Sequence, residues 1–140
     1  MRATVEGKRV VLIDDSIVRG TTSARIVSLL REAGAKEVHM RLSSPPFRHP
    51  CYFGTDIDST DNLIAAHHSV EEICKIIGAD SLGFLNVDYL PLLADHARCG
   101  FCDGCFTGKY PVEPPSDTAK LKFERRLSEK TNKQTEEQAQ

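Results

Sequence analysis

One segment limits what this chain can fold into more than any other: RVVLIDDSIVRGTTS at residues 9–23. Residues 10–13 are apolar without a break, the pattern of a strand covered on both faces in a parallel sheet. Asp14 and Asp15 follow at once, at the carboxyl end of the strand, where open α/β sheets hold ligands. Ser16, Ile17, Val18 and Arg19 then lead to Gly20, Thr21, Thr22 and Ser23. Small and hydroxylic residues in that order read as a tight loop entering a helix.

The chemistry of such a loop suits a phosphorylated sugar. Successive backbone N–H groups in a turn form an anion-binding concavity, and a helix N-terminus adds unpaired N–H groups and a favourable dipole end. The two carboxylates would repel a phosphate facing them. They are better placed to accept hydrogen bonds from ribose hydroxyls or to hold Mg²⁺ through oxygen. An acidic edge beside an N–H-rich loop therefore describes a site for ribose 5-phosphate. A bare Asp-Asp pair is more often a solvated turn, with Thr22 or Ser23 a plain helix cap, so the weight rests on the whole run.

The totals exclude several classes. A formal net charge of −2 offers no attraction for nucleic acid, and no basic stripe is present. No apolar run approaches the length of a membrane span, and residues 1–7 lack the apolar core of a signal peptide, which points to the cytoplasm. The length suits one domain. Five cysteines, Cys51, Cys74, Cys99, Cys102 and Cys105, are an odd number for a closed disulfide set.

The rest of the chain reads as an α/β unit. A turn at residues 5–8 enters the first strand. A helix is predicted over 22–33, with Ile26, Leu29, Leu30 and Ala33 on its buried face and Gly34 just past its end. Val38, Met40 and Leu42 alternate as a second strand, completing a βαβ unit. Residues 47–58 form a loop. Ser59 or Thr60 caps a short helix over 63–66; Ser69 and Glu72 are spaced as a capping box before Ile73, Ile76 and Ile77, and Gly78 stops that helix. Residues 81–85 make a short strand, and Asp88 caps a last helix through Leu92 and Leu93. From residue 111 the composition turns polar; Leu121, Phe123 and Leu127 support a loose helix at most, with disorder expected past residue 130. Three strands leave the first one short of neighbours, which suggests a piece of a larger domain or a tight oligomer.

Cys99, Cys102 and Cys105 recur at every third position, a spacing that points to metal or redox chemistry. Gly100 and Gly104 permit the turn, and Cys51 can supply a distant thiolate. His96 with Cys99, Cys102 and Cys105 equally makes a candidate Zn²⁺ set, and spacing does not separate zinc from an iron–sulfur cluster. Cys74, beside Ile73, reads as packing. Arg19 can touch a phosphate or remain solvated, Lys109 lacks the glycine pattern of a P-loop, and His67 and His68 read as helix-end residues.

The segment at 9–23 resembles the signature of the type I phosphoribosyltransferases, and its form DDSIVRGTTS is similar to that of the glutamine phosphoribosylpyrophosphate amidotransferases. Cys102-x-x-Cys105 with FTGKYP after it resembles the C-terminal signature of their iron–sulfur form; Pro50, Cys51, Phe53, Gly54, Asp56 and Ile57 resemble a second cluster-bearing segment. The resemblance implies a partial type I phosphoribosyltransferase fold, a Rossmann-like parallel sheet, with residues 1–113 the C-terminal part of the transferase domain and 114–140 a polar tail. It implies that Asp14 and Asp15 hold ribose hydroxyls and Mg²⁺, and that the stretch from Ser16 to Thr22 holds the 5-phosphate of phosphoribosyl pyrophosphate. Cys51, Cys102 and Cys105 would be three of four ligands of a 4Fe–4S cluster. The family's glutaminase domain, pyrophosphate loop, lid and fourth cysteine have no counterpart here. The chain is therefore expected to lack glutamine-dependent activity alone and to need the missing N-terminal half or a homo-oligomer. A zinc-stabilised binding module and a non-catalytic phosphoribosyl-binding regulator stand as alternatives.

Overall fold

A computed structural model of the chain describes residues 2–57, 59–94 and 96–114; the expected tail helix and disorder lie outside them. A one-turn helix, α1 (Arg2–Val5), precedes β1 (Arg9–Asp14), α2 (Thr21–Glu32) and β2 (Glu37–Leu42). A 3₁₀ turn at Thr60–Asn62, α3 (Ile64–His67), α4 (Val70–Ile77) and β3 (Ser81–Phe84) follow. A 3₁₀ helix at Val87–Ala94 and α5 (Gly104–Thr107) complete it. The strands form one parallel sheet in the order β1-β2-β3, with Leu12 beside Met40 and Met40 beside Leu82. Among the described residues no helix is long and apolar enough to cross a membrane.

The alternation in β2 does what its pattern predicts. Val38, Met40 and Leu42 are buried, under α2 and α4, which pack on each other and on the sheet. Met40 and Leu42 share one core with Ile17, Ala65, Ile73 and Ile77; Val38 shares another with Val27 and Ala35. The capping box forms as spaced: the Ser69 hydroxyl accepts from Glu72 N at 3.2 Å, and Glu72 accepts from Ser69 N at 2.7 Å. Gly34 and Gly78 both take the left-handed conformation that ends their helices.

Several expectations need correction. The first strand is not covered on both faces. It is an edge strand, with Val11 62% and Ile13 75% exposed. Beside them the same face of β2 and β3 is polar: Arg9 and His39 both bond Glu37, and His39 and Arg41 both reach the Ser81 hydroxyl. Hydrogen bonds from His39 and then Arg9 hold the Glu37 carboxyl below its usual range. The buried stripe of α2 is rotated from the one predicted. It is centred on Ser23 and Val27, while Leu29 is 47% exposed. Ile76 likewise points outward. The single helix expected over 63–66 is two pieces, with Ser59 capping the 3₁₀ turn. Asp88 does not cap the later helix; the Asn86 side chain accepts from Asp88 N instead.

Candidate functional site

The β1–α2 loop is built outward from the strand. β1 ends on Asp14, whose carbonyl accepts from Ser43 N at 3.0 Å and so fixes the strand end against the residue after β2. Asp15 N donates to Asp14 Oδ1 at 3.0 Å, and the Ser16 hydroxyl to Asp15 Oδ1 at 3.1 Å. The chain is then pinned twice. Ile17 is buried in the main core, and the Val18 carbonyl accepts from Ile64 N at 2.9 Å. Gly20 turns the backbone into α2 with φ of +81°, where a Cβ would stand 2.9 Å from Ile64 Cδ1. Only glycine takes that conformation without strain.

Gly20, and not Thr22 or Ser23, is the N-cap of α2, and no side chain caps the first turn. The orphan N–H groups of a helix start thus remain directed at the loop. A cavity of about 480 Å³ lies there, lined by residues 14–23 and by Asp56. The structure therefore brings Asp14, Asp15, Ser16, Ile17, Val18, Arg19, Gly20, Thr21 and Thr22 around one space. Carboxylates at the strand end beside N–H groups and hydroxyls form a surface that can meet the hydroxyls and the phosphate of one ligand. A larger cavity of about 560 Å³ lies between the 3₁₀ helix and the cysteine turn, with Pro91, Cys99, Phe101 and Lys109 in its walls. It lacks that combination of groups.

The cysteines divide by burial. Cys51 and Cys105 both pack against a third core of Phe47, Ile57 and Leu63. The segments carrying them are laced together: Arg48 N and His49 N donate to the Cys105 carbonyl at 3.0 Å, and the Tyr110 hydroxyl to the Pro50 carbonyl at 2.7 Å. Burial pushes the Cys51 thiol up, but the N–H groups of Thr55, Phe53 and Gly54 around its sulfur outweigh that and bring it down to about 7. Burial pushes Cys105 up to about 11, with Cys51 and Cys102 adding to the shift. Cys99 and Cys102 are exposed. Cys74 is half-buried and donates to the Ala79 carbonyl at 3.2 Å, in keeping with a packing role. Among the described residues no three His, Cys, Asp or Glu side chains are gathered closely enough to hold a metal ion as they stand. Gly100 and Gly104 do not supply left-handed turns. Gly104 is needed because a Cβ there would meet the Tyr110 ring at 2.3 Å.

Asp56 is the cavity residue that pattern reading did not assign to the site. It lies far along the chain from the loop and in no regular element, so neither periodicity nor spacing marks it. The signal available was its place beside Ile57, an apolar residue within a polar stretch.

No protein-family profile matches the chain. It is 58% identical over 122 residues to the amidophosphoribosyltransferase of Bacillus subtilis, covering 84% of this chain and 26% of that enzyme. To the amidophosphoribosyltransferase of Archaeoglobus fulgidus it is 55% identical over 119 residues, again 84% of this chain and 26% of the relative. Among solved structures it resembles the glutamine phosphoribosylpyrophosphate amidotransferase of B. subtilis in complex with ADP and GMP. The TM-score is 0.75 and the identity 58%, over 84% of this chain and 27% of that one. The chain thus spans about a quarter of the length of the relatives it matches.

Proposed function

From the premise that this chain belongs to the amidophosphoribosyltransferase family over the stretch it shares with it, we propose that the β1–α2 cavity holds the phosphoribosyl group of phosphoribosyl pyrophosphate. The three-stranded α/β arrangement is part of the phosphoribosyltransferase fold. In the reaction of the whole enzyme, glutamine-derived ammonia displaces pyrophosphate from C1 of the sugar and gives 5-phosphoribosylamine for purine synthesis. The share of that work falling to this chain is positioning. Residues 16–22 hold the 5-phosphate through backbone N–H groups and hydroxyls, at the start of a helix whose dipole favours the anion. Asp14 and Asp15 accept from the ribose hydroxyls and fix the ring for attack. Negative charge near the sugar also favours the cationic character that develops at C1. The same two carboxylates would hold Mg²⁺, which when bound offsets the charge of the departing pyrophosphate.

Cys51, Cys102 and Cys105 would hold the 4Fe–4S cluster that the family resemblance implies. The donor chemistry fits, since all three are thiols and Cys51 already sits among N–H groups that favour its thiolate. A cluster there would tie the segment around α5 to the loop carrying Cys51. Domain limits of 1–113 for the transferase part and 114–140 for the tail belong to the same reading. So do a cytoplasmic location and completion of the site by the remaining part of the enzyme or by a second copy. The edge position of β1, with Val11 and Ile13 exposed, supports that need for a neighbour.

The observation that carries the reading is the cavity uniting the Asp14–Asp15 pair with the uncapped start of α2. Calorimetry with Mg²⁺ and phosphoribosyl pyrophosphate tests it. Weak binding is expected, lost when Asp14 and Asp15 are both replaced by Asn; binding indifferent to that double variant refutes it. Reconstitution with iron and sulfide tests the cysteines. A brown protein with the absorption of a cluster is expected, and a colourless one that retains zinc would replace the cluster with the zinc module.

A further inference from the structure

Asp56 reaches the cavity from a different part of the fold than every other lining residue. Its backbone is held on both sides. Ile57, the next residue, is buried against Phe47 and Leu63 beside Val18. Cys51 N donates to the Ile57 carbonyl at 3.0 Å, and Thr55 N to the Cys51 sulfur at 3.2 Å. The carboxylate itself is exposed, and among the described residues no hydrogen bond or ion pair engages it. A turn held by these bonds thus presents an unengaged anion to the cavity that also takes in the start of α2.

An acid in that place is costly for a ligand that is all anion, because like charges brought together in a partly enclosed space repel. It is useful for a ligand that joins a phosphate to hydrogen-bond donors. We propose that Asp56 is a specificity-determining residue of this cavity: its carboxylate accepts a hydrogen bond from a hydroxyl of the phosphorylated sugar and disfavours phosphate without the sugar. Asp14, Asp15 and Asp56 line the same cavity, so the hydroxyl-bearing ring meets acids while its phosphate rests on the start of α2. The inference depends on the phosphoribosyl reading above and adds to it a residue outside the 14–23 segment.

The test compares the full chain with its Asp56→Asn variant, titrated with ribose 5-phosphate and with inorganic phosphate, each in Mg²⁺ and in EDTA. Asp56 is exposed, so the variant should keep the parent's circular dichroism and melting temperature. A hydrogen bond to a charged group corresponds to roughly a tenfold change in affinity or more. The expected result is ribose 5-phosphate binding weakened about tenfold in both buffers, with phosphate binding unchanged or tighter. An unchanged ratio of the two affinities overturns the proposal while leaving the phosphoribosyl reading intact. So does a loss confined to Mg²⁺ buffer, which would make Asp56 a metal ligand instead. If the parent chain binds neither compound, the underlying reading falls, and this inference with it.

Discussion

The loop at residues 14–23 and the cysteine-bearing segments around Cys51 and Cys105 are organised on opposite principles. The loop carries its chemistry in one stretch of chain, pinned from outside by Ser43 and Ile64 and joined at its cavity by Asp56. The strand ends on acids, Ile17 and Val18 anchor the turn, and Gly20 takes the left-handed conformation that starts α2. The cysteine region is assembled from segments far apart in sequence. It depends on the Phe47–Phe106 ring contact at 4.9 Å, on the Tyr110 bond to Pro50, and on the core around Leu63. Local order survives small injuries elsewhere, whereas an assembled site fails when its shared core is opened.

The largest effect should come from opening that core. Leu63 is fully buried between Phe47 and Ile57, against Cys51 and Cys105. Leu63→Ala should cost about 2–5 kcal/mol, as other buried leucines do. A second readout locates the damage. In the parent protein Cys51 titrates near 7 and Cys105 near 11. Because the thiolate is the nucleophile, at pH 8 a soluble alkylating reagent should modify Cys51 quickly and Cys105 slowly. The substitution should let water reach Cys105, bring its thiol down and speed its modification. A variant that melts as the parent does, with Cys105 still slow, would show that this core does not support the cysteines.

The same contrast explains what could be read from the sequence. The strand at 10–13, the alternation of Val38, Met40 and Leu42, and the capping box of Ser69 and Glu72 are local patterns with local causes. The grouping of Asp14 and Asp15 with the hydroxylic loop around one cavity was legible for that reason. Exposure of Val11 and Ile13 was not, because an apolar run shows that a strand is suited to burial and not that this chain supplies the cover. The buried face of α2 takes in Ser23 and Val27 and leaves Leu29 exposed. Pattern counting weighs large apolar residues and overlooks a buried serine. Asp56 and the Gly104–Tyr110 contact escaped for one shared reason: each depends on which distant segment the fold brings alongside.

A smaller effect sharpens the contrast from the other side. Alanine at Gly20 must keep φ near +81°, which costs a residue with a Cβ about 1–2 kcal/mol. Its Cβ would also sit 2.9 Å from Ile64 Cδ1. That atom is the end of a flexible side chain, so the crowding should relax by rotation of Ile64 and add less than the backbone term. Gly20→Ala should therefore lower stability by about 1–3 kcal/mol, less than Leu63→Ala, and weaken ribose 5-phosphate binding by displacing the first N–H groups of α2. The alkylation pattern of Cys51 and Cys105 should stay that of the parent, because the Ile64 side chain packs into the core with Met40 and Ile17 rather than the one touching the thiols. Thermal melts and alkylation rates on the same samples decide the matter. If Gly20→Ala speeds Cys105 as Leu63→Ala does, strain passes from Ile64 through Leu63 between the two cores, and the loop and the cysteine region respond as one unit.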